Sequence, residues 1–232
     1  LTLTGRNDWE SQLAFTDHSS FFYPSVGLSA VLTEMIKLPE FISYAKIRGS
    51  YTSVASSFDR FLSNPGFEFL EQSHQWSTSS TRPAVNLKPE RTKSWEIGLN
   101  TKFWNDLSFD FTFYKSNTYN QTFQISQSSA SGFSTAVVQS GNVQNYGIEM
   151  GIGYRHKFGD VEWNSNFTFT MNRNKIKELM EGAKDPETGE LIADEERRVA
   201  TLGAAGYAPV IILRKDGGMG DIYVEKHLAT DG

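Results

Sequence analysis

The chain has 232 residues, 38% of them hydrophobic, with a formal net charge of −5 and no cysteine. Its longest apolar run, Ala208 to Leu213, falls far short of the roughly 18 residues that a spanning helix needs, which excludes a helical membrane protein. Disulfides and thiolate metal sites are excluded too, and Lys and Arg scattered through an acidic chain argue against a nucleic-acid partner.

In chain order, the sequence predicts strands through a two-residue alternation of apolar and polar side chains. Leu1 to Arg6 sets Leu1, Leu3 and Gly5 on one face. The opening reads as a strand already in progress and the end at Gly232 is equally abrupt, so a longer polypeptide is expected. Tyr23 to Thr33 groups Val26, Leu28, Ala30 and Leu32 opposite Ser25, Gly27 and Ser29. Ile42 to Thr52 sets Ala45, Ile47, Gly49 and Tyr51 against Lys46, Arg48, Ser50 and Thr52. Ser94 to Phe103 opposes Trp95, Ile97, Leu99 and Phe103 to Glu96, Gly98, Asn100 and Lys102. The clearest run places Leu107, Phe109, Phe111 and Phe113 on one side and Ser108, Asp110, Thr112 and Tyr114 on the other. Gly147 to Phe158 and Trp163 to Met171 complete the series, each strand pairing antiparallel with the next.

Most of these runs are longer than the five or six residues of common soluble strands, and suit the roughly 9 to 11 that a tilted strand needs to cross a bilayer. Their connections alternate. Long gaps at about 53–92, 118–142 and from Lys175 onward contrast with tight links at Asn105-Asp106 and Gly159-Asp160 and a modest one over Glu34 to Glu40. Long loops on one rim and short turns on the other organise a transmembrane barrel. Aromatics at the run ends, such as Phe41, Tyr44, Phe103, Trp104, Phe158 and Trp163, suit interfacial girdles, although aromatics also favour strands generally. A soluble or surface-attached β-sandwich, with a binding or adhesive role and no transport, is the alternative. The Asn, Thr, Ser and Gly content of the wet face favours a water-filled lumen. The fold class is therefore all-β, a transmembrane antiparallel β-barrel, with barrel strands over 1–174 and an extracellular loop region with the start of further strands over 175–232. Within that last region Lys175 to Val199 reads as a solvated acidic loop, and Ala193 to Ala200 as a short helix.

Several stretches in this order resemble the SusC/RagA family of TonB-dependent outer-membrane transporters of Bacteroidetes. They are Phe22 to Ser29 (FYPSVGLS), Phe41 to Tyr51 (FISYAKIRGSY), Leu87 to Leu99 (LKPERTKSWEIGL), Ser108 to Tyr114 and Gly141 to Glu149 (GNVQNYGIE), with Gly220 to Tyr223 as a shorter match. The resemblance implies a large plugged barrel of which this chain supplies middle-to-late strands, sited in the outer membrane of a Gram-negative cell. It implies active import of a nutrient, a glycan oligosaccharide or peptide, with a SusD-like surface lipoprotein over the mouth. The TonB complex would act through a plug that these residues do not include. No enzymatic step, catalytic residue, cofactor or resident metal is expected.

Candidate substrate contacts are Trp76, Phe67, Tyr119 and Phe133, aromatic residues among Ser, Asn and Gln in the long gaps. Rings beside amides suit stacking and hydrogen bonding to sugar or peptide, and suit equally well a self-packed loop or the seam with a capping lipoprotein. Phe58, Phe61 and Phe69 share the first gap. His18, His74, His156 and His227 lie too far apart in sequence for a zinc pattern, and Asp17-His18-Ser19 has triad residue types without triad spacing. Acidic residues from Glu181 to Glu196 lack the spacing of a calcium loop, and Gly217 to Gly220 reads as a turn. Arg48, Lys46, Lys102, Arg155 and Lys157 on the wet face either tune a lumen field, or simply sit in water or pair with Glu96 and Glu149 across strands.

Overall fold

In a computed structural model, the described residues are 1–14, 16–56, 62, 66–84, 87–126, 129–186, 188–192, 197–201 and 209–224. Their strands are β1 (Thr2–Trp9), β2 (Ser20–Val31), β3 (Ile42–Ser56), β4 (Glu68–Leu70), β5 (Gln75–Ser77), β6 (Thr81–Arg82), β7 (Glu90–Phe103), β8 (Leu107–Ser126), β9 (Thr135–Phe158), β10 (Val161–Glu178), β11 (Arg197–Thr201), β12 (Val210–Leu213) and β13 (Ile222–Tyr223). One short helix, α1 (Leu32–Met35), replaces the expected end of the second strand and turns the chain into β3.

Seven long strands form one sheet in the order β1-β2-β3-β7-β8-β9-β10, antiparallel throughout. The expectation that every strand pairs antiparallel with the next needs one correction. Between β3 and β7 the chain inserts the β4–β5 hairpin and then β6, which pairs parallel with β9 at Thr81↔Thr135 and Arg82↔Ala136.

Through the middle of the sheet the pairings keep the alternation in register, with bulges only toward the ends, at Ile42/Tyr44 and Ile176/Glu178. One row runs Leu28, Gly49, Ile97, Phe113, Ile148 and Met171, so six strands present the same face together. That face is uncovered: Leu3, Ile97 and Phe167 are 70, 51 and 55% exposed. A sandwich would bury these side chains under a second sheet, and among the described residues no sheet lies over them. On β10 the apolar positions run from Val161 to Met171, about 33 Å along the strand and about 25 Å high at barrel tilt, which is the height of a lipid-facing band. At its short-turn edge Phe41, Phe103 and Trp104 pack with centroids 5.9 to 6.2 Å apart, joining half of a girdle.

The strands reach well beyond this band. β8 and β9 stay paired to Ser126↔Thr135, so most of the loop expected over 118–142 is hairpin. The sequence obscures this extension because its apolar residues do not alternate: Ala136-Val137-Val138 is continuous, and Asn117, Thr118, Gln121 and Gln124 interrupt the facing strand. Midway, the facing residues Asn120 and Gly141 both adopt positive φ, 59° and 92°. Gly141 does so without Cβ strain, and Asn is the side chain that tolerates it best.

Buried core occurs mainly in this upper part. Ile125, Ala136, Val138 and Val143 pack with Ile176, Leu179, Met180, Ala183 and Leu213. The expectation that the segment after Lys175 is solvated on most sides is thus corrected: Ile176, Leu179 and Met180 are among the most buried side chains. The missed signal was the Ile-x-x-Leu-Met run inside a charged stretch. Of the short helix expected over Ala193 to Ala200, residues 193–196 lie outside the described residues, and Arg197–Thr201 form strand β11 paired with β12.

Candidate functional site

The polar face carries the first candidate feature, a cluster centred on Arg48. Its Nη2 donates to Thr112 Oγ1 at 2.6 Å, its Nη1 to Asn100 Oδ1 at 2.9 Å and its Nε to Glu96 Oε1 at 3.3 Å. Asp110 stands 3.9 Å from Nη1, and the Asn100 amide also donates to the Asp110 carboxylate. To touch Thr112 on β8, Arg48 on β3 must cross β7, and it does so over Gly98. A Cβ there would stand 2.6 to 2.9 Å from the Arg48 side chain, so only glycine leaves the passage open. Arg48 thus pairs with Glu96 as one reading of the wet-face charges expects, whereas Arg155 pairs with Glu162 at 2.5 Å rather than with Glu149.

Toward the short-turn rim the same face opens into a groove of about 520 Å³ floored by Lys46, Asn100, Asp110, Gly151, Asn166 and Thr168. Small or glycine positions on β9 create its depth, while Lys46 and Asp110 supply charge of both signs. Such a surface can hydrogen-bond a polar solute or another polar protein surface; no described residue pair in it has the geometry of acid–base or nucleophilic chemistry.

Above the band the chain between β3 and β7 folds back over the polar face. Leu87 and Ala84 pack with Val137, Phe21 and Leu13. The Gln139 amide grips the backbone of Lys88 in both directions, accepting from its N–H at 2.6 Å and donating to its carbonyl at 2.6 Å. Val137 meets this insertion while Ala136 and Val138 on the opposite side of β9 meet the segment after β10, so the upper hairpin is packed on both faces. Between the two coverings lies a second groove, of about 540 Å³, reached by Arg82, Lys88, Asn120, Gln139, Lys184 and Pro186.

The four sequence-predicted contacts do not converge. Trp76 on β5 and Phe67 just before β4 are 68 and 72% exposed, and Trp76 packs on Phe69 at 5.2 Å. Phe133 is half-buried beside Ser134, whose N–H bonds to the Ser80 carbonyl at 2.9 Å, tying this turn to the insertion that carries Trp76. Tyr119 sits elsewhere. It shares the odd-numbered face of β8 with Phe111 and Phe113 and receives the Lys93 ammonium 5.5 Å from its ring centre. Phe58, Phe61 and His227 lie outside the described residues. His74 edges onto Phe69, and His156 bonds Asp106 at 2.7 Å in the short-turn rim. The pairing of Arg48 with Glu96 was legible, but its bonds to Asn100 and Thr112 and the Gln139 grip escaped the sequence reading, since partners 52, 64 and 51 residues apart leave no local signal.

Beyond the band, an ion pair perturbs one carboxyl beside the edge of β10. The Lys175 ammonium, hydrogen-bonded to Asp216 at 2.8 Å, holds that carboxyl below its usual range. Together with the backbone bonds between Ile176 and the 216–217 turn, this ties the turn along the outer edge of β10.

Residues 1–221 match the family described as TonB dependent receptor-like, beta-barrel. A curated relative, TonB-dependent receptor P3 of Formosa agariphila, is 32% identical over 99 residues, covering 42% of this chain and 10% of the relative. Two structures of the RagAB peptide importer align with 99% of this chain. The open-open state has a TM-score of 0.67 at 20% identity and the closed-closed state 0.62 at 18%. The chain spans about a quarter of each of those solved chains, 26 and 27%.

Proposed function

The chain belongs to the TonB-dependent receptor-like β-barrel family, and from that premise we propose that it forms the wall of an outer-membrane importer for a nutrient, a glycan oligosaccharide or peptide. The observation that carries the reading is the uncovered apolar face of the seven-strand sheet, backed by a polar face on which Arg48 pairs with Glu96 and Arg155 with Glu162. An open sheet in lipid leaves backbone groups unsatisfied at β1 and β10, so the native wall closes with further strands. The family is one of receptors and transporters rather than enzymes.

On this reading the polar face lines the lumen, the short turns at Asn105 and Gly159 face the periplasm, and the upper hairpin stands outside the cell. A plug on the polar face, moved by the TonB complex, opens the path. A SusD-like lipoprotein covers the mouth, a partnership that the fold likeness to RagAB supports. Trp76 and Phe67, exposed on the insertion above the lumen, are the proposed substrate contacts, with Phe133 on the adjoining turn. Tyr119, on the outward face, serves the substrate only if the mouth is approached from that side.

Disruption of the gene in the source organism tests the reading. The expected result is an outer-membrane protein whose loss stops growth on one oligosaccharide or peptide mixture as sole nutrient, with the same loss when the proton gradient is collapsed. Recovery of the protein in a soluble fraction without detergent refutes it.

A further inference from the structure

We propose that the outward face immediately above the apolar band is a binding surface for anionic phosphate headgroups of outer-leaflet lipids, built from Lys93, Lys115 and Arg173. The register assembles it. Trp95, Lys115, Tyr146 and Arg173 form one continuous row across β7, β8, β9 and β10. The row below it is Ile97, Phe113, Ile148 and Met171, wholly apolar. Polarity therefore switches within one step on the lipid-facing side, where Trp and Tyr mark a bilayer interface. Lys93 lies one step above Trp95 on the same face, and Lys175 one step above Arg173.

The chemistry at this edge has one sign. In the rows of Trp95 and Lys93 no Asp or Glu occupies an outward position on β7 to β10. Asp216 reaches in from the neighbouring turn and pairs with Lys175, leaving that cation partly neutralised. Lys93, Lys115 and Arg173 form no ion pair among the described residues, although the whole chain carries a net charge of −5. Lys115 and Arg173 are two strands apart in one row, about 10 Å at the backbone, with the half-exposed Tyr146 between them. One phosphate group fits there, held by a two-pronged guanidinium, an ammonium and a phenol. In a soluble protein the row would be an ordinary solvated surface. Against a bilayer it meets headgroups, and three unpaired cations select anionic ones.

This inference rests on the barrel spanning the outer membrane with the upper hairpin outside, and the experiment separates the two claims. The full-length receptor is placed in phosphatidylcholine nanodiscs and titrated with bisphosphorylated lipid A, read by native mass spectrometry. Failure to enter nanodiscs at all sinks the barrel reading. Given insertion, the expected result is saturable binding of bisphosphorylated lipid A, weakened on the order of 100-fold in the Lys93→Gln/Lys115→Gln/Arg173→Gln variant. A Lys102→Gln/Lys157→Gln variant, altered at the short-turn rim, binds as the native protein does. Equal binding of dephosphorylated lipid A overturns the inference, and so does an unchanged affinity in the triple variant. Displacement of the lipid by millimolar inorganic phosphate would also overturn it, since a soluble anion would then suffice. Should the triple variant fail to insert, the comparison of the two lipids on the native protein still decides.

Discussion

Arginine placed at Phe111 tests which side of the sheet meets lipid. Phe111 lies four residues from Leu107 at the short-turn rim and four from Lys115 at the opposite edge. At about 3.3 Å per residue and a barrel tilt near 40°, each interval is about 13 Å of strand and about 10 Å of depth. Phe111 therefore sits near mid-membrane, flanked in its row by Leu99 and Met150, while Leu107 sits at an interface. Arginine at mid-membrane costs about 2–4 kcal/mol, and near an interface about 0–1 kcal/mol. The expected gap between Phe111→Arg and Leu107→Arg is about 2–3 kcal/mol, or roughly 30- to 150-fold in the folding equilibrium. Urea titrations of the full-length receptor in phosphatidylcholine vesicles, followed by tryptophan emission, measure it, with Phe111→Leu as a control expected to cost under about 1.5 kcal/mol. Equal costs at the two depths would refute the lipid-facing assignment, because a sandwich face or a solvated face has no depth dependence.

Other expectations concern the polar face and the mouth. Gly98→Val closes the passage of Arg48 and should cost about 1–3 kcal/mol, whereas the same substitution in an Arg48→Ala background should cost measurably less; a cycle of urea midpoints reads the coupling. Gln139→Ala strips both bonds from Lys88 and should speed proteolysis near 83–89 without lowering barrel stability, checked by limited digestion of intact cells. Lys175 holds the Asp216 carboxyl below its usual pKa, so the tie is complete above the ordinary carboxylate range and is lost as pH falls through the depressed value. Hydrogen exchange over 214–219 should thus rise in acid relative to the neighbouring turn at Gly159, and Lys175→Met should remove that pH dependence. Trp76→Ala should raise the substrate concentration needed for half-maximal uptake with little change in receptor abundance, and Trp76→Phe should recover most of the loss.

The sequence by itself determined the all-β class, the two faces and the spanning strands. A period of two is a local property, and Phe109-Asp110-Phe111-Thr112-Phe113 carries it without reference to any partner. It also located the tight turns, because Asn105 and Gly159 are residues that accept the positive φ found there, 62° and 61°. Beyond the membrane band it fell short: apolar residues such as the continuous Ala136-Val137-Val138 break the alternation over residues 115–126 and 135–145, and pairing between them is specified by the register inherited from below. The reach of Arg48 past Glu96 to Asn100 and Thr112, and the cation row at Lys93, Lys115 and Arg173, were decided only by the tertiary structure. In the sequence those three cations are scattered across β7, β8 and β10, and they become neighbours because antiparallel pairing superimposes distant residues at one height. Periodicity is written along the chain, whereas charge neighbourhoods are written across it.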